Sequence, residues 1–352
     1  MLQVGLVGFG MAGRVFHGPL ISSVDGMELA AVMERTSSQA AERYPGVRTH
    51  RSLEEMLNDD SLGLLVIATP SGTHYELAKI ALEAGKNIVV DKPVAVVSTQ
   101  IAELIQLARK KNAFLVPFQN RRWDGDFLTV KKLLADGALG HLVHVESRFD
   151  RWRPHMPTNR LWKEDPAGGG VLLDLGTHLV DQALTLFGKP LGVSAEVLRE
   201  REWAKANDGF EIRLRYAGFT VVLASNSLTL PAGLRFHLRG TEGNFWKNGL
   251  DPQEAALNKI TRIADPHWGR EPQSAWGYLH IDADGATVTE PVETAAGNYR
   301  RYYEGVRDAL LGKAEQPVKA VEAWRTARLL EWAQESSDKG SEVVCDWSGE
   351  PD

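Results

Sequence analysis

An aspartate and a histidine lie four residues apart, shortly after three consecutive glycines. Asp174 and His178 follow Gly168–Gly170. In a helix this spacing puts both side chains on one face, about 6 Å apart along the axis. An imidazole beside a carboxylate suits alcohol dehydrogenation, because the imidazole takes the hydroxyl proton and the carboxylate holds the imidazole. The alternative is a structural ion pair, but the glycines favour a segment that a ligand approaches.

A lysine before a proline is a second candidate for a functional residue. Lys92 lies in Asp91-Lys92-Pro93, at the end of the apolar run NIVVD. The proline pushes the backbone of Lys92 toward an extended geometry. At the edge of a sheet this amine could orient a substrate hydroxyl and share its proton. A surface lysine is an equal alternative from this pattern alone.

A glycine-rich loop predicts the cofactor. Residues 8–13 read GFGMAG, a G-x-G-x-x-G pattern that follows an apolar run and opens a helical pattern. The first glycine permits a tight turn, the second lets backbone approach a pyrophosphate, and the third lets the helix pack on the strand. The helix N-terminus supplies N–H donors to the phosphates. An accidental loop is the alternative; we predict a dinucleotide site contacted by Gly8, Phe9, Gly10, Met11, Ala12 and Gly13.

The form of the dinucleotide is left open by two neighbouring charges. Glu34 lies 21 positions beyond Gly13 and is followed by Arg35. A carboxylate there accepts from the ribose 2′-hydroxyl and favours NAD. An arginine pairs with a 2′-phosphate and favours NADP, with hydroxyl donors from Thr36–Ser38. Both charges could also be solvated, so the sequence does not decide between NAD and NADP.

The elements that position these residues alternate between strand and helix. Strand candidates are 2–7, 27–33, 62–68, 87–91 and 114–118, with helical patterns at 37–44, 52–57, 74–84 and 99–111. Near-continuous apolar strands and short connections predict a doubly wound parallel sheet. Ligands bind beyond the carboxyl ends of such strands. We therefore expect Thr69, Pro70, Ser71, His74, Asp91, Lys92 and Asn120 at the cofactor, with Thr73 capping a helix; an ordinary turn is the alternative for the loop.

The pattern changes after residue 118. All ten tryptophans lie beyond that point. Strand candidates at 142–149, 210–216, 220–228 and 235–240 alternate in polarity, and helical patterns cover 299–311 and 320–336. This predicts an α+β unit with a mostly antiparallel sheet. We thus expect two domains, 1–118 and 119–352.

Composition narrows the classes of protein. The chain has 352 residues and a formal net charge of −6, and it contains no basic run longer than two residues. These values argue against nucleic-acid and polybasic membrane binding. A single cysteine, Cys345, and the absence of an H-E-x-x-H pattern argue against disulfides and a catalytic zinc. With no signal-peptide pattern or membrane-length apolar run, we expect a cytoplasmic protein.

Together these motifs resemble the Gfo/Idh/MocA family of glucose–fructose oxidoreductases and inositol dehydrogenases. GFGMAG, TPSGTH (69–74), DKP (91–93) and GGGVLLDLGTH (168–178) occur in the family's order and spacing, and the resemblance covers nearly the whole chain. Four further segments resemble the branch of the family that contains NADP-dependent scyllo-inositol dehydrogenase. They are FHGPL (16–20), QNRRWDGDFLTVKKLL (119–134), RFDRWRP (148–154) and NGLDPQEAAL (248–257).

The resemblance implies a Rossmann domain followed by a domain with a large open sheet, whose outer face joins subunits into a homodimer or homotetramer. It implies Lys92, Asp174 and His178 as the catalytic and substrate-contacting set. His178 accepts the proton, Lys92 binds and polarises the oxygen, and Asp174 orients the substrate. Two positions depart from the family: Asp91 replaces its usual glutamate, and Glu34 stands where NADP-dependent relatives carry a small polar residue.

Further substrate contacts are expected where the two domains meet. Amide and guanidinium donors suit hydroxyls, a carboxylate or a phosphate, and indole faces suit sugar C–H groups. The alternatives are interdomain ion pairs for the arginines and core packing for the tryptophans. The candidates are Asn120, Arg121, Arg122, Trp123, Trp152, Arg153 and Trp162.

These residues predict an NAD(P)-dependent oxidoreductase acting on a secondary hydroxyl of a polyol, inositol or sugar. The same fold also serves nucleotide-sensing regulators without catalysis and glycosidases that retain NAD. Regulators of this kind tend to lack the Lys/Asp/His set. A glycosidase would hold its cofactor through purification and produce no net NADH.

Overall fold

A six-stranded parallel sheet forms the first part of the chain. The structure is a computed structural model that describes residues 1–155, 169–231 and 233–352. The strands are β1 (Leu2–Val7), β2 (Met27–Met33), β3 (Arg48–His50), β4 (Leu64–Ile67), β5 (Ile88–Val90) and β6 (Leu115–Pro117). They lie in the order β3-β2-β1-β4-β5-β6, so the order reverses between β1 and β4. This topology confirms the predicted doubly wound parallel sheet, and the reversal point is where such sheets bind ligands.

Helices connect the strands of this sheet. They are α1 (Gly18–Ile21), α2 (Gln39–Arg43), α3 (Leu53–Leu57), α4 (His74–Glu83) and α5 (Ser98–Lys110). A π-helical turn, Gly13–His17, precedes α1. The short edge strand β3 was not predicted, because its residues Arg-Thr-His carry no apolar signal.

A nine-stranded sheet forms most of the second part. Its strands are β7 (Leu142–Arg148), β8 (Gly192–Leu198), β9 (Gly209–Arg215), β10 (Thr220–Asn226), β11 (Leu234–Gly240), β12 (Gly243–Asn248), β13 (Gly277–Ala283), β14 (Ala286–Val292) and β15 (Val343–Val344). The order is β14-β13-β12-β11-β7-β10-β9-β8-β15. Strands β7 and β10 pair in parallel and the other neighbours pair antiparallel. The predicted mostly antiparallel sheet is therefore confirmed.

The later helices pack against both sheets. They are α6 (Gly125–Ala135), α7 (Thr177–Phe187), α8 (Gln253–Leu257), α9 (Arg300–Leu310) and α10 (Ala320–Lys339), and a π-helical turn, Leu172–Gly176, precedes α7. Leu179 and Leu329 join the core of the nine-stranded sheet. Tyr302 and Trp324 instead join cores of the six-stranded sheet. Residues after 118 thus complete the packing of both sheets, and the domain boundary stays a prediction.

Five strands of the larger sheet were not predicted: β8, β12, β13, β14 and β15. Strand β14 lies at one edge of the sheet, and its residues are exposed along almost the whole strand. Such a strand has no buried face to produce an alternating pattern. In the part of the chain that the structure describes, no helix combines the length and apolar character needed to cross a membrane.

Candidate active site

A cleft of about 680 Å³ brings together motifs that are far apart in the sequence. The carboxyl edge of the parallel sheet forms one wall, and the segment before α7 and residues beside β7 form the other. Most of the predicted site residues line it: Gly8, Phe9, Gly10, Met11, Ala12, Glu34, Arg35, Thr69, Pro70, Ser71, His74, Asp91, Lys92, Asn120, Arg153, Asp174 and His178.

The three loop glycines differ in what surrounds them. Gly8 has a φ of +99°, which favours glycine, and a Cβ there would lie 3.0 Å from the carbonyl oxygen of Ala68. A Cβ on Gly13 would lie 2.4 Å from the Gly8 oxygen, although Gly13 itself does not line the cleft. A Cβ on Gly10 would meet nothing within 4 Å and would project into open space. This geometry fits a loop that a dinucleotide phosphate approaches at Gly10.

The Glu34 carboxylate is directed toward the start of α2. Its Oε1 accepts from Ser37 Oγ at 2.5 Å and from the Gln39 amide at 3.2 Å. Its Oε2 accepts from the Ala40 amide at 2.9 Å, and the residue is buried. These bonds use three of the roughly four acceptor positions of a carboxylate. Arg35 lines the same part of the cleft and is exposed.

His74 ties two loops of the cleft together. Its Nδ1 lies 2.7 Å from the carbonyl oxygen of Pro93, and its Nε2 lies 2.8 Å from that of Thr69. Each ring nitrogen thus contacts the backbone of a different loop. Thr73 is the N-cap residue of α4, as predicted, but its hydroxyl donates to the carbonyl oxygen of Pro70 at 2.7 Å and makes no capping hydrogen bond.

Lys92 reaches across the cleft to the segment before α7. Its Nζ donates to the carbonyl oxygen of Asp174 at 2.6 Å and to Oδ1 of the same residue at 2.8 Å. Both side chains are partly exposed, at 16% for Lys92 and 29% for Asp174. The contact therefore joins the two sides of the cleft while leaving both groups open to a ligand.

His178 is the imidazole on this wall. The residue is 4% exposed, and its Nδ1 is buried without a hydrogen-bond partner among the described residues. Burial lowers the pKa of His178 well below its ordinary value, the cations Lys92 and Arg121 lower it further, and Asp174 opposes them. The ring is thus neutral at neutral pH, as a proton acceptor must be.

Sequence reasoning gave no role to several cleft residues. Glu254 accepts from Arg121 at 2.6 Å, across 133 positions of sequence. Burial raises the pKa of Glu254, but Arg121 and Arg151 lower it more, so the carboxylate is ionised beside the cleft. Its only sequence signal was its place in NGLDPQEAAL. The other such residues are Arg14, Phe16, Met33, Gln39, Phe118, Arg151, Leu173 and Leu175.

Three predicted substrate contacts, Arg122, Trp123 and Trp152, are not among the residues that line the cleft. Arg122 forms ion pairs with Asp181 at 2.7 Å and Glu322 at 3.1 Å, the alternative that the sequence left open. Trp123 packs edge-on against Tyr302. Trp152 is 49% exposed and does not line the cleft.

Two further predicted positions, Trp162 and Gly168, lie outside the described residues. Within residues 1–155, 169–231 and 233–352, no group of three His, Cys, Asp or Glu side chains is placed to hold a metal ion.

Comparison with known proteins identifies the family. Residues 2–118 match the model of the oxidoreductase family with an NAD-binding Rossmann fold, and residues 127–246 match the GFO/IDH/MocA C-terminal domain. The chain is 40% identical over 337 residues to the uncharacterized oxidoreductase YdgJ of Escherichia coli (strain K12), covering 96% of each chain. It is 33% identical to the scyllo-inositol 2-dehydrogenase (NADP(+)) IolW of Bacillus subtilis (strain 168), covering 97% of this chain and 96% of the relative.

Solved structures agree over the same length. The YPO2259 protein of Yersinia pestis superposes with a TM-score of 0.93 at 39% identity, covering 98% of this chain and 97% of the other. The yvaA protein of Bacillus subtilis gives 0.93 at 32% identity, with 98% of both chains covered. The chain therefore belongs to the Gfo/Idh/MocA family of NAD(P)-dependent oxidoreductases.

Proposed function

We propose that the protein transfers a hydride between a secondary hydroxyl of a polyol, inositol or sugar and a nicotinamide cofactor, with Lys92, Asp174 and His178 as catalytic residues. The observation that carries the proposal is the meeting of three motifs in one cleft: the glycine-rich loop, Lys92, and the Asp174–His178 segment. A relative of 33% identity is named as an inositol dehydrogenase, which supports this substrate class.

Lys92 and His178 have separate roles in the proposed reaction. The bound nicotinamide supplies the hydride chemistry. Lys92, held by two contacts to Asp174, offers its ammonium group to polarise the substrate oxygen. The neutral imidazole of His178 takes the hydroxyl proton, and the cations that lower its pKa also stabilise developing negative charge on that oxygen.

The same cleft favours NADP(H) over NAD(H). A carboxylate selects NAD by accepting from the ribose 2′-hydroxyl, but that of Glu34 already accepts from Ser37 and two backbone amides. Arg35 is exposed at the same place, where a guanidinium pairs well with a phosphate. The relative IolW is named for NADP(+).

Binding and turnover test the proposal together. NADPH and NADH are titrated separately, following energy transfer from tryptophan, and NADPH should bind at least about tenfold more tightly, a difference of roughly 1.4 kcal/mol. Oxidation of scyllo-inositol, myo-inositol and pyranoses is then followed as net NADPH formation. An active substrate should lose turnover in His178→Ala. Binding of neither dinucleotide would refute the dehydrogenase, and full turnover in His178→Ala would refute the role of this histidine.

The proposal includes a homodimer or homotetramer joined through the outer face of the nine-stranded sheet. A row of paired residues crosses that face, and Trp246 and Tyr278 within it are 43% and 45% exposed. His237 pairs with Trp246 on the next strand, with ring centroids 4.2 Å apart. Exposed aromatic clusters are typical of protein interfaces. Light scattering should show an oligomer that Trp246→Glu dissociates.

The proposal also places the protein in the cytoplasm, where NADP(H) is supplied.

A further inference from the structure

We propose that His17, which lies outside the cleft, is a positioning residue: it holds the Asp91 carboxylate, and Asp91 in turn holds the backbone of Lys92. This inference takes its catalytic meaning from the proposed function. Its structural content, the control of the Lys92 amine by His17, can be tested without a substrate.

His17 lies where three elements meet. It ends the π-helical turn that begins at Gly13, and its side chain is fully buried. Its ring packs against Phe118, directly after β6, with centroids 4.3 Å apart. Its Nδ1 lies 2.6 Å from the hydroxyl of Tyr303 on α9. A buried polar ring fixed on two sides has little freedom to turn.

The free nitrogen of this ring faces Asp91. His17 Nε2 lies 3.8 Å from Asp91 Oδ2 and has no hydrogen-bond partner within the described part of the chain. If Tyr303 donates to Nδ1, then Nε2 carries the proton and its N–H dipole faces the carboxylate. The opposite tautomer would turn a lone pair toward a negative charge in a site with little water, which is unfavourable. The arrangement therefore places an N–H donor opposite Asp91.

Asp91 connects His17 to the backbone of Lys92. Its Oδ1 accepts from the Lys92 amide at 2.7 Å. Burial raises the pKa of Asp91, but the facing His17, Lys92 and His74 lower it more, so the carboxylate stays ionised and keeps accepting. Oδ1 accepts from the Lys92 amide while Oδ2 faces the N–H of His17, and together these two interactions orient the backbone from which the Lys92 amine extends.

Two amide substitutions of His17 distinguish the contact that Nε2 makes to Asp91 from the contact that Nδ1 makes to Tyr303. In His17→Gln the side-chain amide lies near the position of Nε2 and can donate to Asp91. In His17→Asn it lies near Nδ1 and can reach only Tyr303. Both variants lose the ring and its packing on Phe118, so they differ mainly in the contact to Asp91.

The measurement is the acetylation rate of Lys92 in the full-length protein. The protein is labelled with acetic anhydride, and each lysine is quantified by peptide mass spectrometry. Lys110, an exposed lysine at the end of α5, is the internal reference. We expect Lys92 to react at least about threefold faster in His17→Asn, because local opening exposes its amine, and within about twofold of wild type in His17→Gln.

The melting temperature of each variant is measured in parallel. Equal acceleration of Lys92 in both variants, or no acceleration in either, would overturn the proposal, because a packing role does not distinguish Gln from Asn. If His17→Asn does not fold, Tyr303→Phe replaces it, since loss of the hydroxyl frees the tautomer and should accelerate Lys92 labelling. Dinucleotide titration of the wild type tests the dehydrogenase function separately from the positioning role of His17. Failure to bind would refute the dehydrogenase function but would leave the labelling result valid.

Discussion

The two ends of the cleft are built in different ways. The cofactor end comes from short local motifs, such as Gly8–Gly13 and the loop Thr69–Ser71, each directly after a strand of one parallel sheet. The end that we propose for the substrate is assembled from distant segments: Arg121, Arg151 and Glu254 line it beside the Asp174–His178 segment. A local motif determines backbone shape by itself, whereas the substrate end depends on the packing of one sheet against the other.

The electrostatics of the two ends differ as well. At the cofactor end the Glu34 carboxylate accepts from backbone amides and a hydroxyl within six residues of sequence. At the substrate end the charges pair across the fold, as Lys92 does with Asp174 and Arg121 with Glu254. Substitutions at the substrate end should therefore affect chemistry without affecting the dinucleotide, and those at the cofactor end the reverse.

Lys92→Ala should show the largest effect. Loss of the ammonium group removes the polarising contact to substrate, so we expect turnover to fall by about 10²–10⁴. The affinity for NADPH should change by less than about threefold. Steady-state kinetics with the active polyol and dinucleotide titration measure the two quantities. Lys79→Ala, on α4 and away from the cleft, is the control and should behave as wild type. If Lys92→Ala lost NADPH affinity as much as turnover, the two ends of the cleft would not act independently.

Arg122→Ala should affect stability rather than binding. Its guanidinium makes two hydrogen bonds to Asp181, at 2.8 and 2.7 Å, and burial raises the pKa of that carboxyl while Arg122 lowers it. Removing one partner of a buried pair costs roughly 3–5 kcal/mol. The exposed pair Arg215–Glu342 is the matched control, and Arg215→Ala should cost far less, because water screens an exposed ion pair. Urea unfolding measures both. A selective rise in substrate KM for Arg122→Ala would instead return this arginine to the substrate site.

Adjacent arginines show why prediction from sequence stops at the substrate end. Arg121 lines the cleft and Arg122 pairs inside the protein, yet both have the same side chain and the same local context. Both side chains are largely buried, and their different positions depend on Glu254 and Asp181, which reach them only in the fold. The glycine loop needs no such partner, because its spacing already specifies the turn.

The same limit applies to the fold. Five of the six strands of the parallel sheet, all but β3, were predicted from continuous apolar runs, since both of their faces are buried. Strands β13 and β14 carry many exposed residues and gave no pattern. Trp152 was selected by residue type alone and lies outside the cleft, because an indole can serve a surface, a core or a ligand equally well.

A pair of glycine substitutions separates binding from folding at the cofactor end. Gly10→Ala adds a methyl group into open space, so stability should be kept while NADPH affinity falls about tenfold, or 1.4 kcal/mol. Gly13→Ala places its methyl 2.4 Å from the Gly8 oxygen, so stability should fall by about 1–3 kcal/mol as well. Thermal unfolding and dinucleotide titration measure the two effects. Unchanged affinity in Gly10→Ala would show that the dinucleotide does not approach this loop.

The smallest predicted effect is a shift in pH dependence at the substrate end. Because the pKa of His178 is lowered well below 6.5, the neutral base is already populated at neutral pH. The oxidation rate should therefore rise with pH through an acidic limb below that value and stay flat across neutrality. Arg151 is one of the cations that lower this pKa, so Arg151→Gln should move the acidic limb to higher pH. The pH profile of kcat is the measurement, and Arg239→Gln, on the outer sheet face, should leave it in place. A limb that stays fixed in Arg151→Gln would mean that a group other than His178 accepts the proton.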